Sequence, residues 1–103
     1  MFLGPLVFAA LVASVASYDV TFQRCETVVN AAYLKNVQNY AGDLQNFRNF
    51  YHGECNFFLR DPGQPSGLGG CCFLLYYKNE AQMRADYVNR VPTAIMCKSL
   101  KQC

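Results

Sequence analysis

The sequence predicts a small, mainly α-helical domain that is stapled by disulfides and contains one long helix and two shorter ones. Three features support this prediction. The chain of 103 residues has six cysteines, and an even number is typical of a disulfide framework in a short secreted protein. Apolar residues recur at helical spacing over residues 21–51. An uncharged apolar run precedes the first cysteine.

Residues 1–17 have the pattern of a secretory signal peptide. The run from Phe2 to Val15 carries no charge, and small residues after it form an A-x-A-like cleavage site. The run is shorter than the about 20 apolar residues that span a membrane. We therefore expect residues 18–103 to form a single secreted, extracellular domain that keeps every cysteine.

The first predicted helix runs from Thr21 to Tyr51. Steps of three or four positions separate its apolar residues throughout. These residues are Cys25, Val29, Tyr33, Val37, Tyr40, Leu44, Phe47 and Tyr51. Gly53 is expected to end the helix in a left-handed turn. The pair Gly42-Asp43 allows a mild bend, because Asp43 is a good N-cap residue.

The second half of the chain predicts two shorter helices after a loop. Residues 61–70 (DPGQPSGLGG) are rich in proline and glycine and predict the loop. Asn79 and Gln82 resemble a capping box, which predicts a helix over residues 80–89. Pro92 ends that helix, and a last helix is expected over residues 94–100.

An α+β fold is the alternative. The segment CNFFLR (55–60) is too short to assign by periodicity, and CCFLLYYK (71–78) fits either a buried strand or the first turns of a helix. A short hairpin between residues 55–60 and 72–77 would place both of them in strands, on either side of the predicted loop.

All six cysteines are expected to form disulfides. They are Cys25, Cys55, Cys71, Cys72, Cys97 and Cys103. Adjacent cysteines do not easily bridge each other, so Cys71 and Cys72 should connect one point to two different segments. We expect one to join Cys25 or Cys55 and the other to join Cys97 or Cys103. Alternatively, Cys103 bridges two chains in a homodimer; a non-covalent homodimer also remains open.

Several function classes have little support in the sequence. The net charge of +2 comes without a basic cluster, so nucleic-acid binding is not expected. A single histidine and the absence of C-x2-C pairs give no reason to expect a metal site or a cofactor. An enzyme is not expected either, since paired cysteines leave no thiolate nucleophile. A dyad of His52 with Glu54 or Asp61 keeps a small secreted hydrolase as the third hypothesis.

The candidate binding residues come from two features, the adjacent aromatic pairs and the loop. Both members of an adjacent pair cannot face inward, so some rings should be exposed and able to anchor an interface. The loop is presented between two cysteines and offers few strong contact groups. The candidates are Phe57, Phe58, Tyr76 and Tyr77 in the pairs, and Arg60, Asp61 and Leu68 at the loop.

These observations predict a secreted effector that binds an extracellular protein or receptor in a toxin-like, signalling, pheromone or defence role. The alternative is a carrier that holds a small apolar ligand in a helical cavity. From Gly70 onward the cysteine order (GCCF…MCKSLKQC) is similar to that of the con-ikot-ikot toxins, which are cysteine-richer, helical receptor modulators. The similarity concerns cysteine order, and it assigns no site residue.

Overall fold

The computed structural model describes residues 20–103, which form four α-helices and one short 3₁₀ helix. The elements are α1 (Val20–Leu34), the 3₁₀ helix (Val37–Asn39), α2 (Leu44–Arg60), α3 (Leu68–Val88) and α4 (Thr93–Ser99). The prediction of a mainly α-helical domain is confirmed. The hairpin alternative is wrong, because residues 55–60 lie in α2 and residues 72–77 lie in α3. The predicted signal peptide lies outside the described residues.

The long helix predicted over residues 21–51 is broken in the structure. Asn36 has a φ of 57° and a ψ of 50°, a left-handed conformation that ends α1. The Asp43 carboxylate accepts a hydrogen bond from the backbone N–H of Asn46 at 2.9 Å, so Asp43 is the N-cap of α2 as its residue type predicts. Val37 and Ala41 are fully buried in the connecting turn. The apolar spacing therefore continues through a segment that is not one helix.

Helix α2 continues through Gly53, where the sequence predicted its end. A β-carbon at Gly53 would meet no atom within 4 Å, so the position is an exposed helical site without a left-handed turn. Cys55 and Phe58 continue the buried side of the helix. The helix ends instead at Asp61, which has an extended backbone because the residue before a proline disfavours the helical conformation.

Helix α3 begins within the predicted loop, which is shortened to residues 61–67. Gly67 has a φ of 87° and precedes the first helical residue. Gly69 lies against the backbone of Leu59, and a β-carbon on it would overlap that backbone. The glycine-rich stretch thus brings α2 and α3 close together rather than forming an open loop.

Asn79, the predicted cap of a new helix, is a kink inside α3. Its φ of −131° and ψ of 25° are not helical. Its side-chain amide donates to the carbonyls of Leu75 and Lys101, each at 2.8 Å, and accepts from the Lys101 N–H at 2.8 Å. Gln82 donates to the Ser99 hydroxyl at 2.9 Å and does not complete a capping box. The two side chains hold the C-terminal tail against α3.

Three disulfides connect all four α-helices and the tail. Cys25 in α1 pairs with Cys97 in α4, with a Cα–Cα distance of 5.8 Å. The adjacent cysteines diverge as expected: Cys72 pairs with Cys55 in α2 and Cys71 pairs with Cys103. All six cysteines lie within residues 20–103, and each is paired. Such bridges typically add about 2–4 kcal/mol each to a small domain.

Aromatic rings fill the space between the helices. We call Phe47, Tyr51, Tyr76 and Tyr87 the inner ring cluster. Tyr51 and Tyr76 stack with ring centroids 4.5 Å apart, and Phe47 meets Tyr51 edge to face at 5.2 Å. The buried hydroxyls of Tyr76 and Tyr87 share a hydrogen bond of 2.9 Å. Within residues 20–103, no helix is both long and apolar enough to cross a membrane.

Candidate protein-binding surface

Each aromatic pair places one ring inside the domain and one outside. Phe57 is 50% exposed and Tyr77 is 57% exposed, whereas Phe58 and Tyr76 are buried. Leu68 is buried as well, at the start of α3. Of these five candidates, only Phe57 and Tyr77 offer their side chains to a partner, and the other three belong to the core.

The loop candidates behave differently from each other. The Asp61 carboxylate accepts hydrogen bonds from the Gly63 N–H at 3.0 Å and from the Gln64 amide at 3.2 Å. These bonds lower the pKa of Asp61 and show that its side chain organises its own turn. Arg24 of α1 donates to the Ser66 carbonyl at 3.0 Å and holds the loop against α1. Arg60 is exposed at the end of α2.

Four side chains of α2 and α3 form a surface that we call the ring surface. His52, Leu74 and Tyr77 are exposed, and Phe73 beside them is partly buried against the core. The rings of His52, Phe73 and Tyr77 lie 5.8–6.0 Å apart, centroid to centroid, in all three pairings. Leu74 is 49% exposed and lies one helical turn before Tyr77 on the same side of α3.

The ring surface is fixed by the packing beneath it. Helices α2 and α3 are antiparallel, since contacts of Leu59 with Gly69 and of Arg48 with Glu80 join them in opposite chain order. The Cys55–Cys72 disulfide lies between these two contacts. His52 and Tyr77 also contact the buried Tyr51 ring, at 5.0 and 6.2 Å between centroids. The exposed rings therefore stand on a stapled and well-packed base.

A charged pair lies at one edge of the ring surface. The Arg48 guanidinium donates two hydrogen bonds to the Glu80 carboxylate, each of 2.9 Å. The Tyr51 hydroxyl donates to the same carboxylate at 2.6 Å. The bonds from Arg48 and Tyr51 lower the pKa of Glu80 to about 2. Glu80 is thus an anion across the physiological pH range. Its hydrogen bonds connect Tyr51 of the inner ring cluster with Arg48 at the edge of the ring surface.

His52 lies among aromatic rings in this structure. Its Nε2 atom is 3.4 Å from the Tyr77 hydroxyl. The carboxylate of Glu54 pairs with the Lys35 ammonium at 2.5 Å, while that of Asp61 is engaged in its own loop. Both carboxylates considered for a dyad with His52 are therefore bound to other groups.

A second, smaller apolar surface surrounds Phe57, and we call Leu34, Lys35 and Phe57 the Phe57 surface. The Lys35 ammonium lies 5.7 Å from the centroid of the Phe57 ring. Leu34, the neighbour of Lys35, is 84% exposed. This surface provides one ring and one aliphatic side chain, whereas the ring surface provides three rings in mutual contact.

Sequence reasoning found Tyr77 but missed His52, Phe73 and Leu74 as members of one surface. A helical assignment for residues 70–78 would have revealed Leu74 and Tyr77, because both lie opposite the buried positions Cys72 and Leu75. His52 and Phe73 join them only through the pairing of α2 with α3. The Cys55–Cys72 disulfide joins the two helices, and the spacing of the cysteines does not specify that bond.

Within residues 20–103, no group of three or more metal-ligating side chains is placed together.

Comparison with known proteins gives no relative for this chain. No protein-family model, curated protein sequence or solved structure matches the chain.

Proposed function

We propose that the chain is a secreted effector that binds an extracellular protein through the ring surface. The observation that carries the proposal is the contact of three rings, from His52, Phe73 and Tyr77, on the outside of two disulfide-linked helices. Such a surface would serve a toxin-like, signalling, pheromone or defence role.

The chemistry of the ring surface favours a protein partner. Tyrosine is enriched among the residues that dominate binding energy at protein interfaces, since its ring is large and its hydroxyl is polar. Tyr77 and Leu74 are about half exposed and have apolar area that a partner would remove from water. The Arg48–Glu80 pair supplies a polar edge, as is usual around the apolar centre of an interface.

Preorganisation is the second support for the proposal. Binding is weakened by the entropy lost when flexible side chains become ordered, at about 0.5–1.5 kcal/mol for each. The rings of the ring surface already contact one another and the buried Tyr51 ring. A partner would therefore have to order few groups when it binds.

The proposal of secretion depends on residues 1–17 and on the cysteines. All six cysteines are paired, and disulfides form and persist mainly in oxidising compartments such as the secretory pathway. The uncharged apolar run at the N-terminus has the composition of a signal peptide.

The carrier and hydrolase hypotheses have less support. A carrier needs a cavity between the helices, but the inner ring cluster occupies that space with stacked and edge-to-face contacts. A hydrolase built on His52 needs a group that orients the histidine or accepts a proton. The carboxylates of Glu54 and Asp61 are engaged elsewhere.

Binding of the labelled, disulfide-bonded protein to a panel of intact cells tests the proposal. We expect saturable binding that unlabelled protein displaces and that protease treatment of the cells removes. The double variant Leu74→Ala/Tyr77→Ala should raise the apparent Kd by about 30-fold, because truncating interface hot spots costs about 2 kcal/mol or more.

The matched control is Leu34→Ala/Phe57→Ala, which likewise removes one exposed leucine and one exposed aromatic ring, here from the Phe57 surface. It should leave the Kd unchanged. Far-UV circular dichroism and thermal unfolding should show that both double variants fold. If only the Leu34/Phe57 variant weakens binding, the Phe57 surface is the interface and the ring-surface proposal is wrong. Absence of saturable binding to any cell type would contradict the proposed function itself.

A further inference from the structure

Another exposed aromatic site lies between the 3₁₀ helix and the first half of α2. It is a groove of about 500 Å³ that we call the amide groove, lined by Asn39, Tyr40, Asn46, Asn49 and Phe50. The rings of Tyr40 and Phe50 stack, with centroids 5.0 Å apart and an angle of 22° between their planes. Tyr40 is nevertheless 43% exposed, so the stacked pair is a platform that is open to solvent.

The amides around this platform are exposed and largely uncommitted. Among residues 20–103, no hydrogen bond engages the side-chain amides of Asn39 and Asn46, and both residues are exposed. The Asn49 side-chain oxygen accepts a bond of 3.1 Å from Gln45, which leaves its amide nitrogen available for donation. Each side-chain amide both donates and accepts hydrogen bonds, as a ligand hydroxyl does.

The groove carries no charge of its own. All five lining residues are uncharged. Of the nearest charged residues along the chain, Arg48 pairs with Glu80, and the Asp43 carboxylate accepts a hydrogen bond from the backbone N–H of Asn46 at the edge of the groove. An anionic ligand would find no counter-charge in the groove, whereas a neutral ligand needs none.

We infer that the amide groove is a binding site for a neutral saccharide. A sugar ring has an apolar face of C–H groups whose positive polarisation complements the negative face of an aromatic ring. Its edge carries neighbouring hydroxyls that both donate and accept hydrogen bonds, the pattern that Asn39, Asn46 and Asn49 offer around Tyr40. This inference is independent of the ring surface and of the protein partner proposed for it.

Binding of the purified, disulfide-bonded protein to immobilised glycans tests the inference. The panel contains neutral oligosaccharides ending in galactose, mannose or N-acetylglucosamine, together with their sialylated and sulfated counterparts. We expect retention on at least one neutral glycan, with no gain from sialic acid or sulfate. The free methyl glycoside of the same terminal sugar is the competitor. Displacement by it identifies a free sugar as a sufficient ligand, and displacement by the oligosaccharide alone identifies a longer glycan chain.

Two variants connect the binding to the groove. Asn39→Ala/Asn46→Ala removes exposed amides without touching the core and should weaken glycan binding by roughly tenfold or more, the effect of losing about two net hydrogen bonds. Tyr40→Ala removes the platform and should do the same. The control Gln23→Ala removes an exposed amide from α1 and should change nothing.

The inference is overturned if no neutral glycan at millimolar concentration retains the protein, if charged glycans alone retain it, or if Asn39→Ala/Asn46→Ala binds as tightly as the parent protein. The Leu74→Ala/Tyr77→Ala variant should keep its glycan binding. Absence of glycan binding therefore leaves the protein-binding proposal unaffected, and absence of cell binding leaves the glycan inference unaffected.

Discussion

The inner ring cluster and the ring surface use the same residue types in opposite environments. Tyr76 and Tyr77 are neighbours in the chain, yet Tyr76 is fully buried and Tyr77 is 57% exposed. The hydroxyl of Tyr76 is satisfied by that of Tyr87 at 2.9 Å. The hydroxyl of Tyr77 faces His52 at a longer distance of 3.4 Å. One helical step of about 100° separates a core residue from an exposed one.

The difference teaches that the domain has more aromatic side chains than its core requires. Phe47, Tyr51, Tyr76 and Tyr87 already fill the space between the helices. His52 and Tyr77 lie outside this packing, at the solvent-exposed end of the ring contacts. We expect the inner rings to determine stability and the outer rings to determine binding.

Truncation of the two tyrosines should produce the largest contrast. Tyr76→Ala should lower the free energy of unfolding by about 3–5 kcal/mol, because it leaves a cavity among tightly packed rings. Tyr77→Ala should lower it by about 0.5 kcal/mol, as is usual for an exposed position. Urea unfolding of both variants measures the difference. Equal losses of stability would show that the two rings do not have the separate roles assigned to them.

Removal of a single hydroxyl sharpens the comparison. Tyr87→Phe should cost about 1–3 kcal/mol, because the fully buried Tyr76 hydroxyl loses its partner. Tyr77→Phe should leave stability unchanged, since the Tyr77 hydroxyl is exposed to water. Thermal unfolding of the two variants at the same pH is the measurement. A destabilised Tyr77→Phe variant together with an unaffected Tyr87→Phe variant would reverse the assignment.

Glu80 lies at the boundary of the two regions. Its titration should change stability less than the loss of the buried Tyr76 ring, because the Arg48–Glu80 pair is partly exposed to solvent. Its pKa is lowered from 4.5 to about 2 by the bonds from Arg48 and Tyr51. A lowered pKa in the folded state contributes stability that is present above the ordinary pKa and is lost as the pH falls through the folded value. Stability should therefore decrease between pH 4.5 and 2.

The variant Glu80→Gln isolates that contribution from those of other carboxylates, including Asp61, whose pKa is also lowered. Urea unfolding of the parent and the variant at pH values across this range should show a shallower decrease for the variant. Parallel curves would mean that the Arg48–Glu80 pair contributes nothing that depends on the charge of Glu80.

Much of this fold follows from the sequence, and the exceptions have physical reasons. The helical class and the divergence of Cys71 from Cys72 could be predicted, because periodicity and disulfide geometry are local properties. The break after Leu34 could not, since the buried Val37 and Ala41 keep the apolar spacing intact. The helix end predicted at Gly53 is wrong, because glycine permits a left-handed turn but does not require one.

The candidate surfaces depended still more on tertiary contacts. Asn79 carries the local signature of a cap, but its side chain binds the backbone of Lys101, far along the chain. Likewise, His52 meets Phe73 and Tyr77 only because α2 and α3 are paired. The outward position of Tyr77 could be anticipated from the adjacent tyrosines, whereas its neighbours could not.

Tyrosine nitration of the free and the cell-bound protein tests the central claim most directly. In the free protein, tetranitromethane should nitrate Tyr77 readily and leave the buried Tyr76 unmodified. In protein that is nitrated while bound to cells, then eluted and mapped by peptide mass spectrometry, Tyr77 should be protected. If Tyr77 is nitrated to the same extent in the bound and the free protein, the ring surface is not the interface.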